Sequence, residues 1–152
     1  MNSEESQIAR DLIRRLRPGA RQPELTDLIA RCPCPPEAKA GMYLLNGDWE
    51  RAHTTLQGLE SPVAAYWHAL VHRYEPDYAN SKYWLRRVGS SPIHAKLLHA
   101  LEETGKRGLA APNGTWDPIR FTDLYADRAH DGWTRKLERV ETAELLELSL
   151  AL

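Results

Sequence analysis

Two histidines and a carboxylate follow one another at intervals of about one helical turn in the middle of the chain. His68 and His72 are four residues apart, so on a helix their imidazoles project from one face, and Glu75 follows one turn later. Two histidines and a carboxylate can hold zinc or a non-haem iron and leave positions open for water or substrate. The spacing therefore predicts a divalent metal site. A structural role for both histidines and metal-free ligand contact are the alternatives.

A second set of residues in the following segment combines aromatic rings with positive charge. On a helix, Asn80, Trp84 and Arg87 lie on one face, with Tyr83 and Arg86 beside it. An arginine can bind a phosphate or carboxylate while a neighbouring ring stacks on the ligand. The alternative is that the rings fill the core. We expect one ligand-binding cleft for a small anionic molecule or an acidic peptide, formed by His68, His72, Asn80, Tyr83, Trp84 and Arg87.

The segment from Tyr66 to Gly89, written YWHALVHRYEPDYANSKYWLRRVG, resembles a family of uncharacterised bacterial and fungal proteins. A later block, Trp116-Asp117-Pro118 with Phe121 and Asp123, is similar to a second shared motif. The resemblance covers about half of the chain. It implies kinship and transfers no catalytic role to any residue.

Two other groups of potential metal ligands are explained more simply without a metal. Acidic residues recur every four positions near the C-terminus, with His130 alongside, and Arg120 and Arg128 are placed to pair with them. This pattern predicts a solvated helix face rather than a metal site. The acids are Asp123, Asp127 and Asp131. Cys32 and Cys34 flank a proline, and two thiols without further ligands are weak evidence for a metal.

The elements that position these residues are predicted by local helix-start signals. A capping side chain opens most of the predicted helices, and in three cases it stands directly before a proline that suits the first turn. We expect the first helix to begin near Ser3, with Ser3 as its cap. The later caps are Asp48, Ser61, Asp77, Ser91 and Asp117. No segment alternates apolar and polar residues, so we predict no sheet.

Two of the predicted helix hairpins match each other at an offset of 29 positions, with Asp48 aligned to Asp77 and Leu56 aligned to Leu85. The stretch from Leu44 to Ala52 resembles the turn of a tetratricopeptide repeat. The offset is shorter than that family's usual period, and only two units are visible. The pattern therefore predicts an all-α fold of packed helical hairpins that is tetratricopeptide-like in part.

The expected organisation is one all-helical domain over residues 1–152. It comprises N-terminal helices at 3–31, a hairpin core at 36–105, a loop at 106–116 and C-terminal helices at 117–152. Hydrophobic residues make up 42% of the 152 residues, and no apolar run approaches the roughly 18 residues of a membrane span. The first residues are acidic and polar, unlike a signal peptide. We therefore expect a soluble, cytoplasmic protein.

The net charge and its distribution indicate which classes of partner the protein binds. The net charge is -1 and the pI is near 6.6, which argues against a dedicated nucleic-acid binder. Residues 61–107 nevertheless carry seven basic and four acidic side chains, an excess of +3. The leading hypothesis is a binding module that recognises an anionic ligand through residues 61–89. The alternative is a metal-dependent hydrolase that uses His68, His72 and Glu75.

Overall fold

The computed structural model describes residues 1–128 and 131–152. In these residues the chain forms ten helices and no strand, which confirms the predicted all-α class. The helices are α1 (Ser3–Arg15), α2 (Pro23–Arg31), α3 (Pro36–Leu45), α4 (Trp49–Leu56), α5 (Pro62–Tyr74), α6 (Tyr78–Val88), α7 (Ile93–Glu103), α8 (Arg107–Ala110), α9 (Pro118–Arg128) and α10 (Gly132–Leu150). None of the helices described is both long and apolar enough to cross a lipid bilayer.

Three of the predicted caps open their helices as the sequence indicates. Ser61 and Asp117 each accept a hydrogen bond of 3.0 Å from the backbone N–H three residues later, and Asp77 accepts one of 3.3 Å. Each bond satisfies a donor that the first turn of a helix would otherwise leave without a partner. These hydrogen bonds fix the N-terminal ends of α5, α6 and α9.

Three other helices begin where the sequence predicts, but the predicted side chains do not cap them. Asn2, and not Ser3, caps α1, because its side chain accepts from the backbone N–H of Glu5 at 2.8 Å and the Glu5 carboxylate accepts in return. Asp48 occupies the N-cap position of α4 but its side chain makes no capping hydrogen bond, since its buried carboxylate lies near Arg21 and Arg51 instead. The start of α7 has no capping side chain, so Ser91 does not act as one.

The predicted loop at 106–116 also needs correction. Arg107–Ala110 forms the one-turn helix α8 within it. The backbone N–H of Asp117 donates to the carbonyl of Ala110 at 3.3 Å, which brings the end of this helix to the start of α9. The segment is therefore a structured connection between α7 and α9.

Helix α5 is the central helix of the fold. Every residue from Val63 to Arg73 is buried, because α5 packs against α3, α4, α6 and α10. The Trp67 indole N–H donates to the Ser149 hydroxyl of α10 at 2.9 Å. Gly41 of α3 lies so close to Trp67 that an added Cβ would come within 2.4 Å of the indole. Polar residues on α5 must therefore find partners on neighbouring helices.

The strongest of these polar contacts is an ion pair between α5 and α10. The Arg73 guanidinium donates to the Glu141 carboxylate at 2.5 Å, and both side chains are buried. The Tyr66 hydroxyl donates to the same carboxylate at 2.7 Å. Residues of α9 also contact Arg73. Its guanidinium donates a longer hydrogen bond of 3.4 Å to the Thr122 hydroxyl and lies over the rings of Phe121 and Tyr125.

Breaking this pair should cost far more than breaking a surface pair on the same helix. We expect Glu141→Ala to lower the free energy of unfolding by about 3–5 kcal/mol, because it leaves the Arg73 charge buried without compensation. Glu147→Ala is the matched control, since Glu147 is half exposed and pairs with Arg10 on the surface. It should cost less than about 1 kcal/mol. Urea denaturation of both variants tests the difference, and similar losses would contradict it.

A second acid near this pair, Glu138, should make stability depend on pH. Burial raises the pKa of Glu138, although Arg73 opposes the shift. The folded protein thus holds this proton more tightly than the unfolded chain, and the stabilisation is lost as pH rises from about 4.3 through the raised value. We expect Glu138→Gln to gain stability relative to the wild type between about pH 4 and pH 8. Glu147→Gln, at an exposed position, is the control for urea denaturation at both pH values.

Candidate metal centre

Three histidines from two helices meet where α4 packs against α5. His68 and His72 lie one turn apart on α5, so their rings are nearly parallel, at 18° with centroids 6.3 Å apart. His53 of α4 meets both rings edge-on, at centroid distances of 5.4 and 5.3 Å. One ligand nitrogen from each of the three lies within 4.8 Å of the others. This histidine group (His53, His68 and His72) could hold a metal ion.

The hydrogen bonds of the two α5 histidines orient their rings. The Nε2 of His68 lies 3.3 Å from the Leu56 carbonyl, to which it donates, and its Nδ1 is buried without a hydrogen-bond partner. The Nδ1 of His72 lies 3.3 Å from the Glu75 carboxylate, which leaves its Nε2 as the nitrogen available to a metal. Histidines that bind metals usually donate their second N–H to a carbonyl or carboxylate in this way.

The protonation state of His68 suits a metal ligand. Burial lowers its pKa, the Leu56 carbonyl opposes the shift, and His53 and His72 lower the pKa further. The imidazole is therefore neutral near pH 7, and a neutral imidazole is the form that binds metal ions.

Helix α6 covers the other side of the two α5 histidines. The Trp84 indole stacks on the His68 ring at a centroid distance of 4.1 Å and an angle of 9°. The Asn80 amide nitrogen lies 3.5 Å from Nδ1 of His72. Both residues were predicted from the sequence to lie near the histidines, and the structure brings them there as neighbours of the rings.

Tyr83 and Arg87 lie apart from the histidine group, on the outer side of Trp84. The Arg87 guanidinium is 5.4 Å from the centre of the Trp84 ring system and 5.8 Å from that of Tyr83. A cavity of about 530 Å³ is lined by Trp84 and Arg87 but by none of the three histidines. The six residues were expected in one cleft, and that expectation was wrong. His68, His72 and Asn80 lie together, Arg87 lines a separate cavity, and Trp84 lies between the two places. Tyr83 contacts Trp84 and Arg87 but does not line the cavity.

Sequence reasoning missed His53 and assigned its place to Glu75. The i, i+4 pattern identifies ligands only within one helix, whereas His53 comes from the preceding helix and joins the group by packing. Glu75 contacts His72 Nδ1 and is not a member of the group of three. The signal that could have found His53 is the packing of α4 beside α5, because consecutive helices joined by a short loop are usually neighbours.

The other candidate ligands are occupied or unsuited. Asp123 pairs with Lys82 of α6 at 2.8 Å, and Asp127 is exposed. Arg120 donates to the Leu109 carbonyl and not to the acids. The expectations for the Arg128 side chain and His130 lie outside the described residues. Burial, followed by a hydrogen bond with Cys32, raises the pKa of the Cys34 thiol, so this thiol stays protonated and is a poor metal ligand.

Comparison with known proteins adds no relative to this picture. No family model, no curated protein and no solved structure matches the chain. The resemblances to an uncharacterised family and to tetratricopeptide repeats therefore stay predictions.

The hydrogen bonds at the site predict opposite tautomers for the two α5 histidines. In metal-free protein at about pH 8, where imidazoles are neutral, His68 should carry its proton on Nε2 and His72 on Nδ1, because each ring donates to an oxygen at that atom. Long-range ¹H–¹⁵N correlation spectra distinguish the two forms. His99, whose side chain is 77% exposed, is the internal reference. A proton on Nδ1 of His68 would contradict the proposed orientation.

Proposed function

We propose that the protein binds a zinc ion on His53, His68 and His72, with a fourth position open, and that it uses this ion for hydrolysis. The observation that carries the proposal is the histidine group itself, in which the outer nitrogens of His68 and His72 already face a carbonyl and a carboxylate. The Nδ1 of His68 is buried without a hydrogen-bond partner, so this nitrogen is available to a metal ion.

The donor set favours zinc over iron. Non-haem iron sites of the open type use two histidines and one carboxylate, whereas three histidines are a ligand set of catalytic zinc. Zn–N bonds of about 2.1 Å at tetrahedral angles put ligand nitrogens about 3.4 Å apart. The three nitrogens lie within 4.8 Å, so small rotations of the side chains bring them to binding distance.

The number of ligands favours a chemical role. Structural zinc sites are closed by four protein ligands, and a site with three protein ligands leaves a position for water. A zinc ion lowers the pKa of bound water to about 7 and so supplies a nucleophile at neutral pH. His53 is only partly buried, and it marks the side from which solvent and substrate would approach.

Metal binding is tested on the full chain by titration with zinc and with cobalt, whose visible spectrum reports coordination. We expect one ion per chain and an intense tetrahedral spectrum. His53→Ala should weaken zinc binding by more than about 100-fold, because loss of a ligand exceeds the roughly 10–100-fold cost of losing an outer hydrogen-bond partner. His99→Ala, on the exposed face of α7, is the matched control and should bind as the wild type does.

Glu75→Ala separates a ligand from an orienting partner. We expect it to weaken zinc binding by about 10–100-fold while the cobalt spectrum keeps its form, since the three nitrogens remain. A changed spectrum would make Glu75 a ligand, as the sequence predicts. Equal zinc affinity in the wild type and His53→Ala would refute the site.

Hydrolysis is tested with p-nitrophenyl acetate, an activated ester that reports a metal-generated nucleophile. Zinc-loaded protein should release p-nitrophenol faster than the metal-free protein, and His53→Ala should not. Zinc binding without any acceleration would refute the hydrolytic role and leave the metal site standing.

A further inference from the structure

The cavity beside Trp84 is a second place where this protein can bind a small molecule, and it does not depend on the metal. It lies between the connection from α4, the first turn of α5 and the outer face of α6. Its volume of about 530 Å³ is within the range of small-molecule sites. The cavity (hereafter the Arg87 cavity) is lined by Gly58, Leu59, Glu60, Ser61, Pro62, Ala65, Trp84 and Arg87.

One wall of the Arg87 cavity is suited to a carboxylate. Among the described residues Arg87 takes part in no ion pair, and its guanidinium is held over the rings of Tyr83 and Trp84. The N-terminus of α5 opens on the same cavity, and no acidic residue stands in its first turn. An arginine next to a helix N-terminus attracts a carboxylate, which the guanidinium can bind through two N–H groups.

The Arg87 cavity also carries a negative charge, from Glu60. Glu60 lines the cavity, is exposed and has no ion-pair partner among the described residues. Ser61, its neighbour, is already occupied, since its hydroxyl accepts from the Ala64 backbone and donates to Glu37 at 2.7 Å. Glu60 is therefore the polar group left to bind a cation. It would repel an acidic peptide, which the positive charge of residues 61–107 taken alone predicts as the ligand.

The remaining lining is apolar. Leu59, Pro62 and Ala65 contribute aliphatic surface, and Trp84 contributes an indole held in place by its stack on His68. From these features we infer that the Arg87 cavity binds a free α-amino acid with a large apolar side chain. The carboxylate lies on Arg87, the ammonium on Glu60 and the side chain against Trp84.

Three probes that share one ring isolate each charge. L-Phenylalanine carries both charges, 3-phenylpropanoate lacks the ammonium and phenethylamine lacks the carboxylate. Binding is measured by NMR titration of the full-length protein as isolated, with the indole N–H of Trp84 as the local reporter, and by calorimetry. We expect phenylalanine to bind at least about 10-fold more tightly than either other probe, because only phenylalanine makes charge-assisted contacts with both Arg87 and Glu60.

The variants assign each charge to its partner. Arg87→Gln should remove the advantage of phenylalanine over phenethylamine, and Glu60→Gln should remove its advantage over 3-phenylpropanoate. Arg86→Gln is the matched control, since Arg86 is an exposed neighbour on α6 that does not line the cavity. It should leave all three affinities unchanged.

Several results would overturn the inference. If 3-phenylpropanoate binds as tightly as phenylalanine and both are weakened by Arg87→Gln, the cavity takes a simple anion and Glu60 has no role. If no probe shifts the Trp84 signal, or if Arg86→Gln has the same effect as Arg87→Gln, the cavity is not the site. Repeating the titration after removal of metal by a chelator should leave the affinities the same, which separates this site from the histidine group.

Discussion

The buried pair of Arg73 and Glu141 is the contact on which the arrangement of the central helix depends. Two charges out of water are costly, and the cost is offset only where geometry is good and the remaining polar atoms have partners. Here Tyr66 donates to the carboxylate, and residues of α9 surround the guanidinium. Because an unpaired partner would be left in the core, α5 and α10 are restricted to one relative position.

That restriction sets the direction of the histidines. Successive residues of a helix point about 100° apart, so when Arg73 faces α10, its neighbour His72 is turned toward another side of α5. That side is covered by α4, where His53 and the Leu56 carbonyl lie. The Trp67 contact with Ser149 supports the same rotation of α5, since it also faces α10. The histidine group is thus positioned by contacts on a different face of the helix.

Trp84 lies between the two proposed sites. One face of its indole stacks on His68, and the residue also lines the Arg87 cavity. An aromatic ring stacked on a buried histidine has little freedom to move, so it is a firm wall for a ligand. The same ring excludes solvent from His68, which lowers the pKa of that imidazole by burial. One residue therefore contributes to both proposed sites.

The sequence by itself determined the helical class, most helix boundaries and the caps at Ser61, Asp77 and Asp117, because these depend on hydrogen bonds between residues three or four apart. It also identified His68 and His72 as a pair, since their spacing is a property of one helix. Only the tertiary structure decided that His53 joins them and that Glu75 orients His72. It also decided that the Asp48 carboxylate faces Arg21 and Arg51 and makes no capping hydrogen bond. It likewise showed that Arg73 is buried and that Arg87 lies apart from the histidines. These outcomes depend on how each helix is rotated against its neighbours, and that rotation is set by long-range contacts such as Arg73 with Glu141, which leave no periodic signal in the sequence.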